Sequence, residues 1–339
     1  AGPFQAFGRT HQLVIGGQTS RSHGYEYEDF SNDVIVYGPV SQWGGVQPAE
    51  PTYPGAYLAA NQIDRLTRFY AAAHLNLTDK LKAVGGFNAL WLETKGVAWG
   101  ADATRDASEI SPYFGVVYDL TANVSLYANY TDIFDPQSEM DVNRRRLDPA
   151  HGKSYEAGVK SEWLDKRLYL TAAVFSSRQA NLAEYAGVFA DGKSYYAGVD
   201  TKAEGYEIEA TGALSDQWRV SLGWTDLSIK DDEGNATRLY MPRKTLKAST
   251  TYAIPSARNL TLGAQFRWQD DIEGADIVPV TQKAYGVVDL MAGVDVTEKV
   301  RATLNVKNAT DKTYLGSLMW SQAYYAPPRS VSLRLDYAF

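Results

Sequence analysis

The amino-acid sequence predicts an all-β protein: an antiparallel transmembrane β-barrel with about fourteen strands present, short turns at one end and long loops at the other. Three observations predict it. Apolar residues recur with period two along stretches such as 299–307. The connections between such stretches alternate between short and long. Tyr (23) and Trp (8) together outnumber Phe (11), a bias toward aromatic residues with a polar tip.

The stretches, in chain order, are "RLYLTAAVF" (167–175), "WRVSLGW" (218–224), "LTLGAQFRW" (260–268), "KVRATLNVK" (299–307) and "SVSLRLDYAF" (330–339). In 260–268, Leu260, Leu262, Ala264, Phe266 and Trp268 share one face, with Thr261, Gly263, Gln265 and Arg267 on the other. Successive side chains of a strand point to opposite faces, so each stretch is a strand with one apolar face. The short connections are 78–80, 119–123, 164–166, 214–217, 255–258 and 297–299. The long ones are 26–61, 96–108, 132–152, 178–198, 228–244 and 269–283. Sorting tight turns to one end and long loops to the other is the mark of an outer-membrane barrel, with periplasmic turns and extracellular loops. Trp163, Trp218, Tyr252 and Tyr337 fall beside short turns or the C-terminus, and Tyr130, Trp224 and Trp268 near long loops, as two interfacial girdles require. A soluble propeller or solenoid is the alternative, and it would show a fixed repeat that is absent.

Composition excludes several classes. The net charge of −7 and the lack of a basic run beyond "NRRRL" (143–147) argue against nucleic acid. There is no cysteine, so no disulfide, thiolate metal site or Cys nucleophile. No run approaches ~18 consecutive apolar residues, so no transmembrane helix is expected. The four histidines (His11, His23, His74, His151) lack metal-ligand spacing, and no nucleophile elbow, Walker loop or dinucleotide fingerprint occurs. "DDEGN" (231–235) lacks the Asp spacing of a calcium loop. Neither catalytic residues, a metal site nor a cofactor is expected. The opening "AGPFQAFGRT" has no initiator Met or signal peptide, as in a processed chain or a fragment.

Several stretches resemble the TonB-dependent outer-membrane receptors, in particular the ferric-siderophore branch (ferrichrome, coprogen and pyoverdine type). They are "VSLYANYTDIFDPQ" (124–137), the run from Leu147 to Asn181 containing "GKSYEAGVK", "YMPRKTLKASTTY" (240–252), "AYGVVDLMAGVDVTEKVRATLNVKNATDKTYLG" (284–316) and "APPRSVSLRLDYAF" (326–339). "NVKNATDKTY" followed by "PR" and a terminal aromatic strand is family-wide, whereas "YTDIFDPQ" points to siderophore receptors. The resemblance implies that residues 1–339 are the C-terminal part of a barrel of about 22 strands. The first strand would begin after a periplasmic turn near Gly2–Pro3, and the plug domain and TonB box would be absent from this segment.

It also implies the partners: a ferric siderophore, outer-membrane lipid, the TonB–ExbB–ExbD motor acting through the missing N-terminal region, and the barrel assembly machinery. Nucleic acid is not expected, and the protein should be a monomer in the bacterial outer membrane. Alternatives are a TonB-dependent receptor for haem, cobalamin or a glycan, and a passive pore. A ferric siderophore satisfies iron with its own oxygens, so its receptor needs flat aromatic faces and a few polar donors. The candidates are the loop aromatics Trp43, Tyr53, Tyr57, Trp99, Tyr185, Tyr195, Tyr196, Tyr240, Trp320, Tyr324 and Tyr325. A second set, Glu156, Lys160, Glu207, Glu209, Arg267, Asp289, Arg301, Arg334 and Asp336, should face the lumen and, in a complete receptor, the plug, because charges facing lipid are costly.

The last residue, Phe339, closes an amphipathic strand and resembles the signal that the assembly machinery reads. Deleting Phe339 should therefore lower the amount of assembled protein in cells, measured in outer-membrane fractions, more than ligand binding per assembled molecule. Normal assembly of the truncated protein would contradict this.

Overall fold

The computed structural model describes residues 1–29, 52–274, 279–319 and 323–339. Its described elements are strands: β1 (Gly2–Ala6), β2 (Arg9–Glu28), β3 (Tyr57–Asn76), β4 (Leu81–Ala98), β5 (Ala101–Asp102), β6 (Arg105–Asp119), β7 (Val124–Asp135), β8 (Ala150–Trp163), β9 (Leu168–Val188), β10 (Ser194–Ala213), β11 (Trp218–Asp231), β12 (Lys244–Ile254), β13 (Leu260–Gln269), β14 (Ile272–Gly274), β15 (Val280–Gln282), β16 (Tyr285–Asp295), β17 (Val300–Lys307), β18 (Leu315–Ser317), β19 (Tyr324–Tyr325) and β20 (Ser330–Tyr337). Sixteen form one antiparallel sheet whose order follows the chain from β1 to β20, with β5 folded onto β4. The small hairpins β14–β15 and β18–β19 decorate the long-loop end. Apart from β1 and β5, this sheet has the fourteen strands the alternation calls for.

Each strand owes its place to its two faces. Directly opposed residues share a face, so the register Leu262↔Tyr252↔Trp218 and Leu304↔Leu333 gathers the apolar side chains on one side of the sheet. That side stays open to the surroundings: Ile15, Ile110, Val174, Ile208, Leu333 and Leu335 are all exposed. Exposed apolar surface on this scale has no aqueous solution, but it matches lipid. Trp218 and Trp224 bracket Val220 and Leu222 on β11, six residues and about 20 Å apart along the strand. Trp224 stacks on Trp268 at 6.0 Å and 12° at the long-loop edge of the band, and Trp218 opposes Tyr252 at the other.

Hydroxyl groups close four of the short turns. Leu81 N–H donates to Thr78 Oγ1 (2.8 Å), Val124 N–H to Thr121 Oγ1 (3.1 Å), Trp218 N–H to Ser215 Oγ (3.1 Å) and Val300 N–H to Thr297 Oγ1 (3.1 Å). A Ser or Thr three residues ahead of the first strand residue thus caps the hairpin. The 164–166 turn instead holds Leu164, Asp165 and Lys166 all at positive φ.

The structure differs from the sequence reading in two respects. Gly2 and Pro3 lie in β1, and the first tight turn is at Phe7 and Gly8 (φ 52° and 73°). The long connections are shorter than expected: the 178–198 loop is a turn of residues 189–193, because β9 runs on to Val188 and β10 starts at Ser194. Likewise β4 and β6 extend through most of 96–108. These strands continue past the membrane into water, where neither face is obliged to be apolar and the period-two signal vanishes.

At the long-loop end, Asn308 (φ 50°, buried) explains the "NVKNATDKTY" stretch. Its Oδ1 accepts from Lys312 N–H (2.8 Å), its Nδ2 donates to Lys312 O (2.9 Å), and its own N–H donates to Asp289 Oδ1 (2.7 Å). Asp311 Oδ1 then accepts from Arg329 N–H (2.9 Å), tying the loop back to β20. Asn308→Ala removes three side-chain bonds, the third a longer one from Nδ2 to Pro327 O (3.5 Å), and puts a Cβ-only residue in the left-handed region. We expect it to lower stability by about 2–4 kcal/mol, measured by thermal unfolding in detergent. A change under about 0.5 kcal/mol, the range of an ordinary surface substitution, would contradict this role.

Candidate functional site

The pairing register sets the nine charged positions on one face, opposite the apolar band. Asp336 opposes Arg301 and Asn305 opposes Met291. Gln265 opposes Asp289, Arg267 opposes Lys247, Glu207 opposes Thr225, and Lys160 opposes Thr171. Most of these charges are satisfied within the sheet. Arg267 Nη2 meets Asp289 Oδ2 at 3.2 Å, and Arg301 Nη1 meets Asp295 Oδ1 at 2.7 Å. Arg334 Nε donates to Asp336 Oδ1 (2.7 Å). Tyr127 O–H donates to Glu156 Oε1 (2.5 Å), while Lys160 Nζ sits 4.3 Å above the Tyr127 ring. Glu207 and Glu209 make no hydrogen bond or ion pair among the described residues.

A cavity of 820 Å³ opens at the long-loop end. Four segments converge there: the facing ends of β2 and β3, the turn after β4, the loop 136–149 and the turn 189–193. Glu28 and Tyr57 are joined by Tyr57 O–H donating to Glu28 Oε2 (2.8 Å). The β4 end is positioned by Gly96 (φ 134°), where a Cβ would lie 2.1 Å from Asn61 O, so no other residue fits without moving β3. This crossing presents Trp99 (φ 49°), whose N–H donates to Ala59 O (2.7 Å). Small residues Ala60, Ala98 and Ala103 pack beneath it with Met140.

The loop 136–149 is locked by Gln137, which is buried. Its Nε2 donates to Asp148 O (2.9 Å) and Asn181 O (2.6 Å), and its Oε1 accepts from Ala183 N–H (2.6 Å). Gln137 thus bonds its own loop and β9 at once, which accounts for the "DPQ" of the sequence. Beyond it, Asp141 Oδ1 accepts from Asn143 N–H (2.8 Å) and Arg145 N–H (2.9 Å), forming the turn that presents Arg144. Arg144 Nη2 pairs with Asp191 Oδ2 at 2.8 Å and its guanidinium lies 4.1 Å over the Phe189 ring. Lys193 Nζ donates to Trp99 O (3.0 Å), and Tyr196 N–H to Met140 O (2.8 Å). The result is a cleft with aromatic walls (Tyr57, Trp99, Phe189, Tyr196) and both signs of charge at its rim. The hydrogen bond from Arg144 holds the Asp191 carboxyl below its ordinary range. Burial lowers the Arg146 pKa, with Asp64 and Glu139 acting against it.

Of the sequence candidates, the cavity brings together Tyr57, Trp99 and Tyr196. Tyr185 stands behind them, edge-on to Tyr196 at 6.3 Å, and Tyr195 packs on Phe189 at 5.1 Å. Tyr185, Tyr195 and Tyr196 are strand residues of β9 and β10, not loop residues as expected, and Tyr57 opens β3. Tyr240 is held in the 232–243 loop, accepting from Arg238 Nη1 (3.2 Å). Tyr324 and Tyr325 form β19, are exposed, and do not line this cavity; nor does the exposed Tyr53. Trp43 and Trp320 lie outside the described residues. Sequence reasoning passed over Met140, Arg144, Phe189 and Lys193. The Arg-rich turn "DVNRRR" and the "ADGK" turn were the available signals, but neither segment shows a period that says where it points. Among the described residues no group of three or more His, Asp or Glu is placed to hold a metal.

The family described as "TonB dependent receptor-like, beta-barrel" matches residues 1–309. The chain is 33% identical over 362 residues to the ferripyoverdine receptor of Pseudomonas aeruginosa, covering 99% of this chain and 43% of that protein. It is 26% identical to the ferrioxamine B receptor of Salmonella typhimurium, covering 97% of this chain and 48% of that one. The crystal structure of the P. aeruginosa outer-membrane ferripyoverdine receptor bound to ferripyoverdine superposes with a TM-score of 0.86 at 32% identity, over 99% of this chain and 47% of that one. The chain thus spans less than half the length of these relatives, which are receptors rather than enzymes.

The Arg144–Asp191 pair gives a direct check on the rim. A carboxyl with a depressed folded-state pKa contributes its stabilisation above the unfolded value and loses it as pH falls through the folded one. The ¹³C-labelled Asp191 carboxyl should titrate below the ordinary 3.8, and Arg144→Gln should raise it toward that value, the Lys193 contributions remaining. An unchanged midpoint in the variant would contradict the pairing.

Proposed function

This chain belongs to the TonB-dependent receptor β-barrel family of the outer membrane, and from that premise we propose that its protein captures a ferric siderophore at the long-loop end for uptake. The observation that carries the reading is the aromatic-walled cleft of 820 Å³. A ferric chelate brings its own iron ligands, so the protein contributes ring faces and hydrogen-bond donors. Tyr57, Trp99, Phe189 and Tyr196 supply rings at little entropic cost, and Arg144 and Lys193 supply donors to the chelate's oxygens.

In this reading the nine charged positions of the opposite face line the lumen. Glu207 and Glu209, which have no partner among the described residues, would be available to a plug segment. Energy reaches the receptor from the TonB–ExbB–ExbD motor through the rest of the protein. Phe339, fully exposed and edge-on to Tyr337 at 5.2 Å, is free to be read by the assembly machinery.

Restoring the full-length gene to an iron-starved receptor-deletion strain should rescue growth on one or more siderophores. Trp99→Ala combined with Tyr196→Ala should raise the concentration needed by about tenfold or more, the cost of losing two stacking faces. Rescue by haem or cobalamin, and by no siderophore, would overturn the reading. Rescue by a siderophore with no effect of the double variant would move the site away from this cleft.

A further inference from the structure

The β6–β7 pairing stops while both strands go on. The register between them ends at Tyr113↔Thr131, yet β6 reaches back to Arg105 and β7 runs on to Asp135. Each stays paired on its other side, β6 with β4 as far as Arg105↔Thr94 and β7 with β8 as far as Asp135↔Ala150. Pro112 explains the parting. Leu120 N–H donates to Val124 O, so even-numbered residues of β6 direct their backbone groups at β7. Asp119 N–H donates to Lys80 O, so odd-numbered ones address β4. Pro112 and Asp132 are next in the β6–β7 register, at a hydrogen-bonded position, and proline has no N–H to donate.

Beyond this point the chain between β7 and β8 turns inward. Arg146 Nη2 donates to Gln62 Oε1 of β3 (2.9 Å), Arg105 Nη2 donates to Leu147 O (2.9 Å), and His151 Nδ1 lies 3.7 Å from Glu109 Oε2. By strand alternation Gln62, Arg105 and Glu109 lie on the face of the nine charged positions. The 136–149 loop therefore packs inside the wall rather than in line with it, and the first half of β6 keeps a free edge. Asp106, Ser108 and Ile110 are exposed. Among the described residues nothing pairs with them on this side. The opening begins two residues beyond the Phe114↔Tyr130 pair, at the aromatic border of the apolar band, so the edge stands in water.

A row of backbone N–H and C=O groups at an unpaired edge is complementary to another extended chain. The side chains beside the edge say which chain. Asp106, Ser108 and Ile110 point to the outer face at intervals of two. Asp106 opposes Glu93 of β4, whose charge Arg65 and Lys95 already meet. Asp106 itself has no ion pair among the described residues, and like charges opposed across strands are destabilising. A cation supplied from outside relieves that pair. Ile110, 60% exposed, offers an apolar contact at the other end of the row. We propose that the edge 106–110 docks an extended peptide segment of another protein at the cell surface, which adds as a strand antiparallel to β6. The segment carries an apolar residue opposite Ile110, a small one opposite Ser108 and a basic one opposite Asp106.

The test uses the full-length gene product in detergent and a fluorescent heptapeptide, Thr-Val-Thr-Thr-Thr-Arg-Thr, capped at both ends. Its second, fourth and sixth residues match Ile110, Ser108 and Asp106. N-methylation of those three removes the donors aimed at the edge and should weaken binding by about tenfold or more. N-methylation of the third and fifth, whose N–H groups point away, should leave binding unchanged. Ser108→Pro removes an edge donor without touching the β4 ladder. It should weaken binding by about tenfold, with the same amount of protein in outer-membrane fractions. Asp106→Asn should cost the parent peptide about threefold, and a peptide with Gln in place of Arg nothing. No saturable binding of the parent peptide, equal loss with both methylation patterns, or full binding to Ser108→Pro would each overturn the proposal. If Ser108→Pro fails to assemble, the two methylated peptides on the wild type decide it.

Discussion

A strand that crosses hydrocarbon finds no water for its amides and carbonyls, so its neighbours must bond all of them. The rest of this structure follows from that one constraint. It explains why the sheet runs in strict chain order without crossovers, since each hairpin delivers the next strand directly alongside the last. It also explains why exposed Leu, Ile and Val side chains are stable here: the ladder bonds the backbone, and lipid accommodates the face that a soluble protein would have to bury.

The two ends of the sheet solve different problems. At the short-turn end the chain reverses with the fewest residues, and hydroxyls at Thr78, Thr121, Ser215 and Thr297 bond the amides that the reversal leaves over. At the other end the strands outlast the membrane, and buried amides and positive-φ residues hold the loops: Gln137 pins 136–149 to β9, and Asn308 pins the last loop to β16 through Asp289. The cleft exists because these pins fix separate segments against one another. Its aromatic walls come from β3, β4's terminal turn, the 189–193 turn and β10, and no two of these are contiguous in sequence except the last two.

What the sequence made legible follows from the same physics. Strands 260–268 and 299–307 were readable because lipid on one side and polar groups on the other impose period two. The extensions of β9 to Val188 and of β10 from Ser194 were not, because in water neither face is obliged to be apolar. Tyr57, Trp99 and Tyr196 could be proposed as aromatic candidates, yet their meeting in one cleft depends on Gly96 and Gln137, whose roles are visible only once the strands are paired. Phe189 and Arg144 were missed because a cation–ring contact between two turns, 45 residues apart in sequence, leaves no local pattern.

The central claim is that one face of this sheet meets lipid and the other does not. The chain has no cysteine, so single cysteines can be introduced without background. Spin labels placed one by one from Thr261 to Arg267 in protein reconstituted into bilayers report access to dissolved oxygen and to a water-soluble nickel chelate. The account predicts period-two alternation, with oxygen favoured at positions 262, 264 and 266 and nickel favoured at 261, 263, 265 and 267. Equal access on both faces, or a period near 3.6, would contradict it.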